Sequence, residues 1–307
     1  MSRLTTPAEQ GTSLEWLRRG VTGTTVVLDR VFANRKTRIG ATILGVIVAV
    51  AAFAPWLAPY NPNDTSFAML APRSWSHLLG TTALGQDIFS QVLWGARPSL
   101  VIALAGGLAG TAVAVLFGVT AAYYGGWADH SLSLVTDVFL VVPGLPLMIV
   151  ITAYVPSRGT WLLIAVIVLT GWPFGARQLR AQGLSVRRRE FVEAARARGE
   201  RGSYIVVFEV LPTMIPLIAA TFLGIAFYSV LAAAGLQFLG LGNINSISWG
   251  TMLYWAWNAE ALSTGAPLWV IVPGACIALL GAGFTFLNYA FDEIANPALR
   301  GPKKTRG

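Results

Sequence analysis

The side chains able to do covalent or metal chemistry are few and scattered along this chain. Its lysines are Lys36, Lys303 and Lys304, and none follows a glycine-rich turn that would bring it to nucleotide phosphates. His77 and His130 fall in expected loops on opposite sides of a membrane, so neither a Ser–His pair nor a metal cluster can be built from them. The single cysteine, Cys276, lies in an apolar run, which leaves no disulfide framework and no Cys-based metal site. Catalysis is not expected here. What remains is the chemistry of passage and contact. Asp137 is an acid inside an apolar stretch, where ionisable groups are expensive. It reads either as part of a pathway or as a helix-end group facing other helices or water. Tyr228, Ser229 and Gln237 interrupt a stretch rich in Ala and Gly, polar enough to line a route without a charge to trap a solute. Ordinary interhelical hydrogen bonding predicts the same pattern. Trp249, Trp255 and Trp257 cluster in a polar segment, as an interfacial belt or as a surface for another protein.

The elements that must position these groups are membrane spans. The chain has 307 residues, 55% hydrophobic and only 12% charged, with mean hydropathy +0.62. Soluble domains carry about twice that charged fraction. An all-α membrane protein with six transmembrane helices is expected, at 39–57, 99–124, 132–154, 160–178, 213–240 and 268–291. Each run approaches the ~20 helical residues needed to cross a hydrocarbon core of about 30 Å. Residues 1–38 are basic and suit an amphipathic surface helix before an uncleaved first span. The loop 58–98, with Asp87 and Arg97, would be a second outer surface. With the N-terminus inside, Lys and Arg divide 19 inside against 3 outside, which places both termini in the cytoplasm. The net charge of +8 follows from this topology, so no nucleic-acid partner is expected. Pro143-Gly144-Leu145-Pro146, Gly171-Trp172-Pro173, Pro216 and Pro273-Gly274 interrupt the spans. Such breaks persist where neighbours or a cavity satisfy the freed backbone groups. Gly106 and Gly110 offer a small-xxx-small packing face.

One cytoplasmic loop, 179–212, stands apart. Eight arginines lie between Arg177 and Arg201, and each would cost roughly 2.5–3.5 kcal/mol at a bilayer centre, so the segment must stay in water. Residues 190–201 have helical composition. Ala194, Ala195 and Ala197 leave one side nearly bare, where another protein's backbone could approach, while Arg196, Arg198 and Glu200 supply charge around it. Pro212 fixes its own φ and lacks an N–H, so it suits the opening of the fifth span.

Glu193-Ala194-Ala195, then Gly199, then Leu211-Pro212 resemble the cytoplasmic loop of binding-protein-dependent ABC permeases of the type I import class. Glu209 stands where that pattern usually holds Ile. FANRKTRIG at 32–40, LGTTALGQDIFSQVLWGARPSL at 79–100, AAYYGGWAD at 121–129, SWGTML at 248–253 and FDEIANPAL at 291–299 are similar to the dipeptide, oligopeptide and nickel group. Within it they resemble the second of two paired membrane subunits. The resemblance implies a type I ABC importer permease fold: an N-terminal segment 1–38, a first helix and external loop 39–98, a core 97–291 and a tail 292–307. It implies that the helix at Glu193–Gly199 couples to an ATPase, with Leu211 and Pro212 leading into the membrane. No cofactor is expected in this chain; ATP and Mg would be bound by two partner ATPase subunits. A homologous second permease, an external solute-binding protein touching Trp249, Trp255 and Trp257, and membrane lipid complete the implied partners. The setting would be the bacterial inner membrane, the mechanism alternating access, and the cargo di- or oligopeptides, with oligosaccharides or nickel as alternatives. A stand-alone secondary transporter is disfavoured by the few buried charges and by no inverted repeat being visible.

Overall fold

The apolar runs fold as helices, and the two that begin at Ile88 and Trp249 are opened by the capping side chains of Asp87 and Ser248. A computed structural model describes residues 35–155 and 159–295; the surface helix expected before residue 35 and the tail after residue 295 lie outside them. The helices are α1 (Arg35–Leu57), α2 (Ile88–Tyr124), α3 (Gly126–Val141), α4 (Gly144–Tyr154), α5 (Thr160–Val186), α6 (Glu190–Ala197), α7 (Gly202–Ile205), α8 (Leu211–Phe238), α9 (Trp249–Asn258) and α10 (Leu268–Ala295). A π-helical turn, Val206–Val210, joins α7 to α8, so Gly202–Phe238 forms one 37-residue span. Among the described residues five spans are long and apolar enough to cross a membrane by themselves, while α3 and α4 meet that test only as a pair, bent by 83° at the break between them.

The second span departs from expectation. It begins at Ile88, eleven residues earlier than hydropathy suggests, because Asp87 caps it. The Asp87 carboxylate is fully buried and accepts from Ser90 N at 2.8 Å, Ser90 Oγ at 2.7 Å and pairs with His77 Nδ1 at 2.9 Å. The polar loop is therefore shorter than 58–98, and Asp87 is a helix cap instead of an outer contact. The resulting 37 residues reach about 55 Å at 1.5 Å per residue, well beyond a hydrocarbon core.

This long α2 is the axis of the bundle, lying along both α5 and α8. Gly106, Gly107 and Gly110 allow the approach to α8: a Cβ on them would meet Ser229, Ala226 and Ile225 at 2.5, 2.9 and 2.8 Å. On its other side Gly118 lies against the Ala176 backbone of α5. The sequence reading of a small-residue packing face is borne out.

The prolines show how a helix break is tolerated. Pro55 inside α1 has no N–H for the Ala51 carbonyl, and Arg97 Nε donates to that oxygen at 2.7 Å. Pro173 inside α5 likewise frees Leu169, whose carbonyl accepts from Trp172 Nε1 at 3.1 Å. Arg97, expected as an outer contact, is thus occupied in repairing α1, and its guanidinium stacks 5.0 Å from the Trp94 ring. The third span is broken outright, with Val142 in an extended conformation between α3 and α4.

Candidate functional site

The arginine-rich loop becomes a short helix held on one end of the spans. Glu190 and Glu193 lie in the first turn of α6 and Arg196 in its last, which complements the helix dipole at both ends. Val192 and Ala195, three residues apart, are fully buried within one apolar cluster with Val119, Tyr123, Val186, Ile205, Val210 and Met214. On the opposite side Glu190, Glu193, Ala194 and Ala197 are exposed at i, i+3, i+4 and i+7 spacing. The bare side is thus not the Ala194/Ala195 pair. Ala195 belongs to the seat and Ala194 to the free stripe, because adjacent helical positions point about 100° apart.

Gly199 ends the helix. Its φ is +78°; its N–H donates to Arg196 O at 2.9 Å, and Glu200 N–H donates to Ala195 O at 3.3 Å. This is a Schellman termination, which favours glycine on backbone grounds. The chain then turns at Arg201 and the next span starts at Gly202, ten residues before Pro212. Pro212 sits within an already running helix, just after the π turn, and does not mark where the span begins. Glu209 lies in that turn, 3.9 Å from Arg198, which also pairs with Glu200 at 2.8 Å.

The C-terminal end of α2 ties these parts together. Arg196 of α6 stacks 5.1 Å from the centre of the buried Tyr123 ring. Arg187, at the end of α5, donates to Ala122 O at 3.3 Å. Arg180 of α5 grips Asp129 of α3 with two bonds, 2.5 and 2.8 Å, and Ser133 Oγ adds a third at 3.2 Å. Neither the Tyr123 contact nor the Asp129–Arg180 fork follows from sequence spacing. Their signal was an aromatic pair and a Gly-Gly at the C-terminal end of a span, AAYYGGWAD.

The pathway candidates do not gather. Tyr228 faces a cavity bounded by α3, α4, α5 and α8, with its hydroxyl 3.3 Å from Thr170 Oγ1. Ser229 is fully buried against Gly106 and donates to Ile225 O at 2.8 Å, an intrahelical role. Gln237 is buried beside Gly250 and accepts from Ser248 Oγ at 2.9 Å. Asp137 is exposed and paired with Arg177 at 2.6 Å, so it is not a free acid. Among the tryptophans, Trp249 is 2% exposed and donates to Val92 O at 3.0 Å; it packs instead of offering an outer contact. Trp255 and Trp257 remain at the surface, with Trp255 Nε1 bonded to Ile244 O at 2.9 Å.

Among the described residues, a bundle of apolar spans thus carries one amphipathic helix seated across its ends. Residues 114–300 match the family described as binding-protein-dependent transport system inner membrane component, and residues 25–72 match the N-terminal transmembrane domain of oligopeptide transport permease C. The chain belongs to this family of ABC importer permeases. It is 32% identical to the oligopeptide transport system permease protein OppC of Mycobacterium tuberculosis over 90% of this chain and 95% of that protein. It is also 32% identical to the dipeptide transport system permease protein DppC of Alkalihalophilus pseudofirmus, over 87% of each chain. A chain of the MetNI methionine ABC transporter, solved in inward-facing conformations, shares the fold with a TM-score of 0.51 at 19% identity, covering 65% of this chain and 96% of that one.

Proposed function

We propose that this chain forms half of a path for di- and oligopeptides across the bacterial inner membrane. A homologous second permease supplies the other half, and an external solute-binding protein delivers the peptide. Of two ATPase subunits, holding ATP and Mg, one docks on the free stripe of α6 at Glu193, Ala194 and Ala197. The observation that carries this reading is the two-faced α6. One face is locked into the ends of α2, α5 and α8, and the other is bare and exposed. Motion imposed on the exposed face reaches the spans through Val192, Ala195 and the Arg196–Tyr123 stack. Gly199 and the continuous helix from Gly202 through Leu211 and Pro212 carry it into α8. The peptide assignment is supported by the relatives named for oligopeptide and dipeptide transport.

The test is reconstitution of the whole assembly in vesicles with labelled dipeptide, oligosaccharide or nickel supplied to the external side. ATP-dependent accumulation of peptide alone is the expected result. Accumulation of sugar or metal but not peptide would overturn the cargo, and uptake by this chain without ATPase subunits would overturn the role.

A further inference from the structure

We propose that the cavity between α1, the first turns of α2 and the α8–α9 loop holds the phosphate of a membrane phospholipid on Arg97. The inference needs only that the chain spans a membrane, and it stands apart from the coupling and cargo readings above. The cavity encloses about 850 Å3 at the end of α2 remote from the α6 seat. That size falls in the range of small-molecule sites, about 300–1,000 Å3.

The first observation is a cation without a counter-charge. Arg97 Nε donates to Ala51 O, and Leu57 ends α1 six residues after Ala51, so the guanidinium lies about 9 Å inside that span at 1.5 Å per residue. Ionisable groups at such a depth are costly and call for a partner. Other arginines of the spans have one, Arg177 in Asp137 and Arg180 in Asp129. Among the described residues no carboxylate pairs with Arg97, and it is the one charged side chain lining the cavity. The repair of α1 engages Nε and, at 3.4 Å from Ala52 O, Nη2; Nη1 is left without an acceptor. The second observation is a set of uncommitted donors in the same wall. The side chains of Tyr60, Asn63 and Asn245 line the cavity and make no hydrogen bond among the described residues.

The site is built before any ligand arrives. Pro55, Pro59, Pro62 and Pro98 line it with their φ angles fixed, and the Trp94 ring, 5.0 Å from the guanidinium, holds that group flat. A planar cation among neutral donors fits an oxyanion, because a guanidinium bonds two phosphate oxygens at once. It repels a bare metal ion. The third observation places the oxyanion on a lipid. In α1 only 17% of the apolar stretch is buried, against 33–50% in the other four long spans, so α1 is the peripheral helix. Beside Pro55 at its end, Phe53 and Trp56 lie 5.7 Å apart and are 54% and 78% exposed. A tryptophan at the end of a span marks the boundary between lipid and water. The cavity thus adjoins the level at which lipid phosphates lie, and an acyl chain leaving it meets Phe53.

In the test, the complete assembly is reconstituted in vesicles of phosphatidylglycerol and phosphatidylethanolamine and released into detergent. Its retained phospholipid is then counted by native mass spectrometry. Arg97 also supports α1, so the deciding variant is Asn245→Asp, which brings a carboxylate to the cavity and leaves Arg97 and α1 intact. It is expected to weaken retention of one phospholipid about fivefold, the worth of one charge beside anionic lipid. Asn245→Lys is expected to strengthen retention, and Asn258→Asp, an exposed position outside the cavity, to match wild type. Equal retention by wild type and Asn245→Asp would overturn the proposal. An equal loss in Asn258→Asp would also overturn it, reducing the effect to general surface charge. Displacement of the lipid by inorganic phosphate or by saturating dipeptide would assign the cavity to free anions or to cargo instead, which contradicts the proposal. Loss of the second permease from Asn245→Asp would place the loop in a subunit contact and likewise overturn it.

Discussion

Gly199 adopts φ +78° with open space where a side chain would lie, so its value is to the backbone of its own chain. A left-handed residue with a Cβ costs about 1–2 kcal/mol, less for Asn. Gly199→Asn is accordingly expected to retain ATPase copurification, while Gly199→Leu weakens it by frustrating the α6 termination. Equal retention by both variants would show that this cap is not needed for coupling. At the same scale, the Asp129–Arg180 fork is bidentate and only partly solvent-exposed, at 21% and 35%. Charge-assisted forks are strong, but exposure screens them, so Asp129→Asn is expected to cost about 1 kcal/mol. A lowered melting temperature of the purified complex would show it, and Arg180→Lys with Asp129 intact is expected to lower it as well because an ammonium cannot fill both bonds. Residue identity was legible in the loop because Glu193, Gly199 and their neighbours are local in sequence. The Arg196–Tyr123 stack was not, since it joins positions more than seventy residues apart through packing that no periodicity encodes.

The long spans could be read as helices from their apolar runs, whereas helix ends, the split of the third span into two helices and the short helix α9 could not. Hydropathy places the start of α2 where the oily run begins, but the structure places it just after Asp87, whose carboxylate satisfies the otherwise orphaned N–H of Ser90. The same limit applies to α8. Pro212 is a sound helix opener by propensity, yet α7 and the π turn already supply the preceding turns. Proline breaks were legible as breaks, and their repair by Arg97 and Trp172 was not. Arg97→Leu removes the donor to Ala51 O and is expected to speed amide exchange over residues 51–57 without altering α5. Exchange indistinguishable from wild type there would mean that the proline break is satisfied by another group.

The whole molecule carries its orientation in its charges. The 19-to-3 division of Lys and Arg predicts that cysteine at position 187 is labelled only from inside and cysteine at 255 from outside, in a Cys276→Ala background. Labelling of position 187 in intact cells would refute the topology. The pathway was less legible, because Tyr228, Ser229 and Gln237 are equivalent as polar interruptions in sequence. Only packing separates Tyr228, at a cavity, from two residues spent on helix contacts. The central claim is that the exposed stripe of α6 receives an ATPase. Ala194 tests it most directly, being exposed and outside the seat formed by Val192 and Ala195. In the complete assembly, Ala194→Trp is expected to insert normally and keep the second permease, yet lose ATPase copurification and ATP-driven uptake together by at least tenfold. Wild-type copurification and uptake in Ala194→Trp would contradict the account.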